Sequence, residues 1–171
     1  MKSLILFFVL LAGSFSVFGQ DFSLVGKFPA PNLKFTTIDG KTIDTAELKG
    51  KVVVYNFWFV GCPPCMQEIP ELNEIVAQYK DKDVVFLGLS SSNKKDLDNF
   101  LKKNPFNYQI VSDAAAIMLG SYGEASKDGN VKLAFPTHVV VNRQGYVEVK
   151  MTGLKGVEAV RQQLKREFPT Q

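Results

Sequence analysis

The sequence predicts an α/β domain with a mixed central β-sheet flanked by helices on both faces, an N-terminal β-hairpin and a helical insertion. Three observations predict it. Two continuous runs, Val52-Val53-Val54-Tyr55-Asn56-Phe57 and Val84-Val85-Phe86-Leu87-Gly88-Leu89, have the β-branched and aromatic content of strands buried on both faces. Apolar residues between the runs recur at helical spacing, and buried strands joined by a helix form a parallel pair with a right-handed crossover. A late hairpin, Thr137-His138-Val139-Val140-Val141, turn Arg143-Gln144-Gly145, then Tyr146-Val147-Glu148-Val149, adds antiparallel strands.

The elements follow in chain order. Met1-Lys2-Ser3 brings one basic side chain ahead of an apolar run at residues 4–11, of signal-peptide rather than membrane-spanning length. Small residues Ser14, Ser16 and Gly19 follow, so residues 1–19 are expected to be an export signal cut before Gln20, and residues 20–171 the domain. The alternative is an uncleaved membrane anchor, because residues 4–18 are nearly uninterrupted apolar sequence. No cysteine follows the run to take a lipid. The folded part is expected outside the cytoplasm, periplasmic or otherwise extracytoplasmic, where cysteines oxidise unless something keeps them reduced.

Pro29 and Pro31 make residues 21–31 an extended lead-in. Leu33-Lys34-Phe35-Thr36 alternates, Asp39-Gly40 signals a turn, and Thr42-Ile43 returns before a short helical turn at residues 45–48. Ile69, Leu72, Ile75, Val76 and Tyr79 mark a helix over about residues 63–80, with Glu68 and Glu71 early and Lys80 late, as the helix dipole favours. Pro70 inside it cannot donate to the Met66 carbonyl and is expected to bend it. Residues 93–103 read as a helix with Leu97, Phe100 and Leu101 inward, stopped at Asn104-Pro105. A short extended piece at 108–111 and a short helix at 114–119 complete the insertion. Residues 120–130, polar with Gly123 and Gly129, are expected to be a loop at the rim of the site. A helix over 156–168, with Val157, Val160 and Leu164 inward, closes the chain.

A chain of 171 residues suits one domain with a real core. Its net charge of +3 is spread over mixed charges with no basic stripe, which excludes nucleic-acid binding. The only two cysteines, Cys62 and Cys65, sit in Trp58-Phe59-Val60-Gly61-Cys62-Pro63-Pro64-Cys65, between a strand pattern and a helical one. A bridge across so short a loop removes little entropy from the unfolded chain, so the pair is functional rather than structural. A thiol must be deprotonated to attack a disulfide. With Cys62 at the N-cap of the helix starting at Pro63, free backbone N–H groups and the helix dipole converge on its sulfur and make it the nucleophile. Cys65, one turn in, is the resolving thiol. Pro63 and Pro64 fit the first helical turn and remove two donors, leaving the Cys65 N–H as the main hydrogen-bond donor to Cys62 and a rigid, moderately activated thiol. Glu68 shares a helical side with Cys65 and is either its proton acceptor or a carboxylate favoured by the helix dipole.

Trp58, the Cys62-Pro63-Pro64-Cys65 motif after a strand, Pro70, Phe135-Pro136-Thr137 before a late strand and Gly153 after the last strand together resemble the thioredoxin superfamily. The match is closest to its TlpA/ResA-like exported thiol-disulfide oxidoreductases, over about residues 28–168. The resemblance implies a thioredoxin-like fold, a cis Pro136 facing the sulfurs, and a Phe135 backbone that pairs with substrate. It implies a proton-transfer role for Glu68 near the thiols, since Asn56 stands where cytosolic thioredoxins keep a buried aspartate. Trp58, Pro63, Pro64, Phe135, Pro136 and Thr137 are the expected substrate-binding residues. Gly61 replaces a bulkier residue and is expected to open the approach to Cys62. The implied activity is reduction of disulfides in exported proteins, as in cytochrome c maturation, by a monomer recharged from a membrane thiol reductant. No cofactor beyond the Cys62–Cys65 couple is implied.

Two other classes share parts of this pattern. Cys62, Cys65 and His138 are a candidate copper or zinc set, although a lone histidine in an apolar strand is more often a hydrogen-bonded core residue. A thiol peroxidase requires a threonine or serine and an arginine around its cysteine, whereas Arg143, Arg161 and Arg166 all lie late in the chain.

Overall fold

The structure is a computed structural model that describes residues 28–169; the expected export segment lies outside the described residues. In chain order the strands and helices are β1 (Phe28–Pro29), β2 (Lys34–Thr36), β3 (Thr42–Asp44), β4 (Val52–Trp58), α1 (Pro63–Gln78), β5 (Val84–Ser90), α2 (Lys94–Leu101), β6 (Gln109–Val111), α3 (Ala115–Tyr122), β7 (Glu124–Ala125), β8 (Val131–Lys132), β9 (Thr137–Val141), β10 (Tyr146–Thr152) and α4 (Lys155–Glu167). A 3-10 turn at Thr45–Leu48 follows β3, capped by the Asp44 carboxylate, which accepts from the Ala46 N–H.

The main sheet has the order β1-β10-β9-β4-β5-β6. Every residue of β4 is buried, as its continuous apolar run requires. It pairs in parallel with β5 across α1 and antiparallel with β9, so the sheet is mixed as expected. On one face Val53, Tyr55, Phe57, Leu87 and Val139 pack with Met118 and Tyr122 of α3 and with Phe35 of the β2–β3 hairpin. On the other, Val52, Val54 and Val140 meet Leu72 and Ile75 of α1 and Val157, Val160 and Leu164 of α4. The alternation of β4 thus serves two cores at once.

A third cluster forms where β4 runs out: Trp58, Cys62 and Cys65 with Leu97 of α2 and Ile110 of β6. The Trp58 ring fits because position 88 is glycine. A Cβ there would stand 2.6 Å from Ile110 Cδ1 and 3.2 Å from Trp58 Nε1.

Several boundaries differ from expectation. The lead-in contributes an edge strand, β1, paired with β10. Helix α3 runs through Gly120 to Tyr122, because Met118 and Tyr122 bury on the sheet, and the expected loop beyond it carries the β7–β8 hairpin. The first turn of α1 holds no acidic residue, and Glu68 is buried rather than placed at the solvated helix mouth.

Candidate active site

The end of β4 delivers the chain to the N-terminus of α1 through a pinned turn. Ser91 N–H donates to the Trp58 carbonyl (3.1 Å), Val60 N–H to Ser92 Oγ (2.9 Å), and Cys62 N–H to the Phe59 carbonyl (3.3 Å). Gly61 then turns with φ of +88°, and Cys62 caps α1 with extended backbone, φ −80° and ψ 105°. The Cys62 sulfur accepts from the Cys65 N–H at 3.3 Å, the single backbone donor that the two prolines leave in this turn. Both cysteines are 2% exposed and joined in a disulfide. Pro63 is exposed at the helix mouth and Pro64 half-buried.

The opposite wall is the segment entering β9. The Phe135–Pro136 peptide is cis. The Phe59 ring meets Phe135 edge-on at 5.4 Å, and Phe135 packs on the cluster that holds both sulfurs. Gly153 N–H donates to the Pro136 carbonyl (2.8 Å), tying this segment to the end of β10. Thr137 is fully buried, and its hydroxyl is engaged with the Ala134 carbonyl (2.7 Å) and the Thr152 hydroxyl (2.8 Å). Thr137 thus braces the loop from behind. Trp58, also fully buried, stacks on Phe106 at 4.5 Å and tilts against Phe100 at 5.5 Å, which joins α2 and its C-terminal loop to the motif. Phe106 carried no sequence signal of its own.

Behind the cysteines lies a buried polar cluster. Asn56 Nδ2 donates to Glu68 Oε1 at 2.8 Å, and His138 Nε2 lies 3.2 Å from that oxygen. The Tyr108 hydroxyl donates to Asn56 Oδ1 at 3.3 Å. Burial, and next the Glu68 charge, push the Tyr108 hydroxyl well above its ordinary pKa, so it stays a donor. Glu68 is 3% exposed and His138 fully buried. Asn56 and His138 were visible in the sequence as polar interruptions of apolar strands. Their meeting depends on the β4–β9 register, which sets them directly opposite. Tyr108 had no signal beyond its strand pattern.

Residues 25–162 match the Redoxin family. The chain belongs to the Redoxin family. Within it, the thiol-disulfide oxidoreductase ResA of Bacillus cereus (strain ZK / E33L) is 30% identical over 146 residues, covering 85% of this chain and 79% of the relative. ResA of Bacillus subtilis (strain 168) is 29% identical over 139 residues, 81% and 73% of the two chains. Among solved structures, a thioredoxin-family thiol:disulfide interchange protein of Chlorobium tepidum TLS superposes with a TM-score of 0.70 at 24% identity, covering 83% of this chain and 97% of its own. The exposed lipoprotein thioredoxin of Streptococcus pneumoniae strain TIGR4 gives a TM-score of 0.66 at 25% identity, covering 80% of this chain and 99% of its own. The thioredoxin-like fold of this Redoxin family member is therefore established by both its topology and its neighbours.

The other residues that the two competing classes would need are engaged with different partners. His138 turns its Nε2 to Glu68 and Asn56, and among the described residues no three or more His, Cys, Asp or Glu side chains group as a metal site. Arg143 stacks over the Phe168 ring at 4.7 Å, Arg161 pairs with Glu71 at 2.7 Å, and Arg166 reaches Gln163.

Proposed function

We propose that the protein is an exported thiol-disulfide oxidoreductase that reduces disulfides in extracytoplasmic proteins, such as those of cytochrome c maturation. The observation that carries this is the Cys62 sulfur at the α1 N-cap, accepting from the Cys65 N–H, in a Redoxin family chain whose relatives are ResA oxidoreductases. The helix end favours negative charge on that sulfur, which favours the attacking thiolate.

In the reduced protein the Cys62 thiolate attacks one sulfur of a substrate disulfide, and the other leaves as a thiolate that takes a proton from solvent. Cys65 then loses its proton to Glu68 and attacks Cys62. The Cys62–Cys65 bond forms, the mixed disulfide breaks, and two electrons have passed to the substrate. The Phe135 backbone beside Pro136 pairs with the substrate chain, with Trp58, Pro63, Pro64 and Thr137 shaping and bracing its groove. A membrane thiol reductant restores the dithiol. Residues 1–19 serve as the export signal and 20–171 as the working, monomeric domain; among the described residues no helix is long and apolar enough to cross a membrane.

The purified reduced protein should reduce insulin. Equilibration against graded thiol–disulfide ratios should give a potential near the about −270 mV of thioredoxin; a value near about −120 mV would make the protein an oxidant. In cells, Cys65→Ser should accumulate mixed disulfides with exported proteins and Cys62→Ser should not. Trapping by Cys62→Ser and not by Cys65→Ser would reverse the assignment of nucleophile.

A further inference from the structure

His138 is the only histidine of the chain, fully buried in β9, and the chemistry above leaves it without a task. Its Nε2 lies 3.2 Å from Glu68 Oε1 and 3.2 Å from Asn56 Nδ2. The Asn56 amide is oriented from both ends: Tyr108 donates to its oxygen, and its nitrogen donates to Glu68. The second amide hydrogen is left for His138 Nε2. An amide N–H calls for a lone pair on Nε2, whereas a carboxylate oxygen calls for a proton there. In the proton-poor state the two Asn56 hydrogens bridge to Oε1 and Nε2. The pair then has room for one proton between those atoms, held as a carboxyl O–H donating to Nε2 or as an Nε2–H donating to the carboxylate.

Nothing at the far side of the ring fixes which. A working histidine ordinarily has its tautomer set by a partner on the second nitrogen. His138 Nδ1 has no hydrogen-bond partner among the described residues, and it is walled by Gly156 of α4, where a Cβ would stand 2.1 Å away. Glu68 Oε2 is likewise buried and unpartnered, on a residue one helical turn after Cys65.

We propose that His138 is the positioning residue and internal proton partner of Glu68, so that the Glu68–His138 pair, rather than the carboxyl group alone, takes up the Cys65 proton. The proposal rests on the reading of Cys65 as the resolving thiol. The Cys65 proton enters at Glu68, and one proton is held between Oε1 and Nε2. The Cys65 electron pair forms the bond to Cys62, and the substrate sulfur leaves with the pair of the broken bond and is protonated by solvent. The titratable groups facing His138 are Glu68 from α1 and, through Asn56, Tyr108. From α4 it meets the glycine backbone, and its β10 register partner is Met151.

The test is single-turnover kinetics of the reduced protein with a small disulfide, from pH 5 to 9, separating attack by Cys62 from resolution by Cys65. His138→Gln keeps an amide within reach of Oε1 but does not titrate. It should slow resolution about tenfold near neutral pH and change the shape of its pH profile, with attack by Cys62 unchanged, while Glu68→Gln slows it further. The double variant should be no slower than Glu68→Gln alone. Superposed profiles for His138→Gln and wild type, or multiplicative losses in the double variant, would overturn the proposal. If His138→Gln does not fold, the lone imidazole supplies a second readout in the native chain. Its Nε2 15N resonance in the reduced protein should titrate in step with the resolution rate and lose that coupling in Glu68→Gln; an invariant resonance overturns the pairing. A wild-type chain with no exchange activity would sink the oxidoreductase reading itself, whereas active wild type with superposed profiles sinks only the role of His138.

Discussion

Gly61 enters the active-site turn at φ +88°, a conformation that L side chains adopt only at a cost. A Cβ built there meets nothing within 4 Å. Beside the expected opening of the approach to Cys62, this glycine thus has a backbone reason of its own. Gly61→Ala should lose about 1–2 kcal/mol in urea unfolding, and Gly61→Phe about the same, since either side chain projects into open space. A far larger loss for the phenylalanine would show that its ring meets the fold, and that the backbone alone does not set the cost. At this scale the site was legible where its geometry is local. Cys62, the two prolines and Cys65 lie within one helical turn, so spacing alone placed the sulfur at the N-cap with the Cys65 N–H upon it. The contact of Glu68 with His138 joins residues far apart in sequence and needs the sheet register, which no spacing encodes.

Helix α2 has eight residues, too few to hold by propensity alone, and its work is to press Leu97 and Phe100 on Trp58 beside the disulfide. Its N-terminus is closed by Asn93, whose Oδ1 accepts from the Asp96 N–H at 2.9 Å. Asn93→Ala should cost about 1 kcal/mol, read as a lower urea midpoint and as faster hydrogen exchange across α2 while β4 exchanges as before. Unchanged exchange in α2 would mean that packing, not the cap, holds the helix. Elements with strong periodicity were read almost to their ends: β4, β5, α1 and the late hairpin. Those misjudged are the ones settled by partners. The loop is expected from residue 120, yet the burial of Tyr122 carries α3 past that point, and β1 exists because β10 offers it an edge.

Across the whole molecule, the two faces of the sheet are locked by tyrosines whose hydroxyls cannot ionise cheaply. Tyr55 of β4 and Tyr122 of α3 lie ring to ring at 5.9 Å, and burial pushes both far above the ordinary value of 10.0. Burial and the Glu68 charge do the same to Tyr108 on the opposite side of β4. The native state therefore keeps these protons when the unfolded chain begins to shed them. Stability from this source is fully present below about pH 10 and falls above it, by about 1.4 kcal/mol per pH unit for each tyrosine. The three act in the same direction, so stability falls more steeply with alkaline pH than any one of them would make it. The Tyr122 hydroxyl has no hydrogen-bond partner among the described residues. Tyr122→Phe should thus leave the protein as stable or more stable near neutral pH, because it removes a buried unpaired hydroxyl, and should reduce the alkaline slope by about a third. Urea midpoints measured from pH 8 to 11, alongside tyrosinate absorbance, would decide it. Midpoints that fall equally in wild type and Tyr122→Phe would show that the Tyr122 proton is not held by the fold, and that alkaline unfolding starts elsewhere.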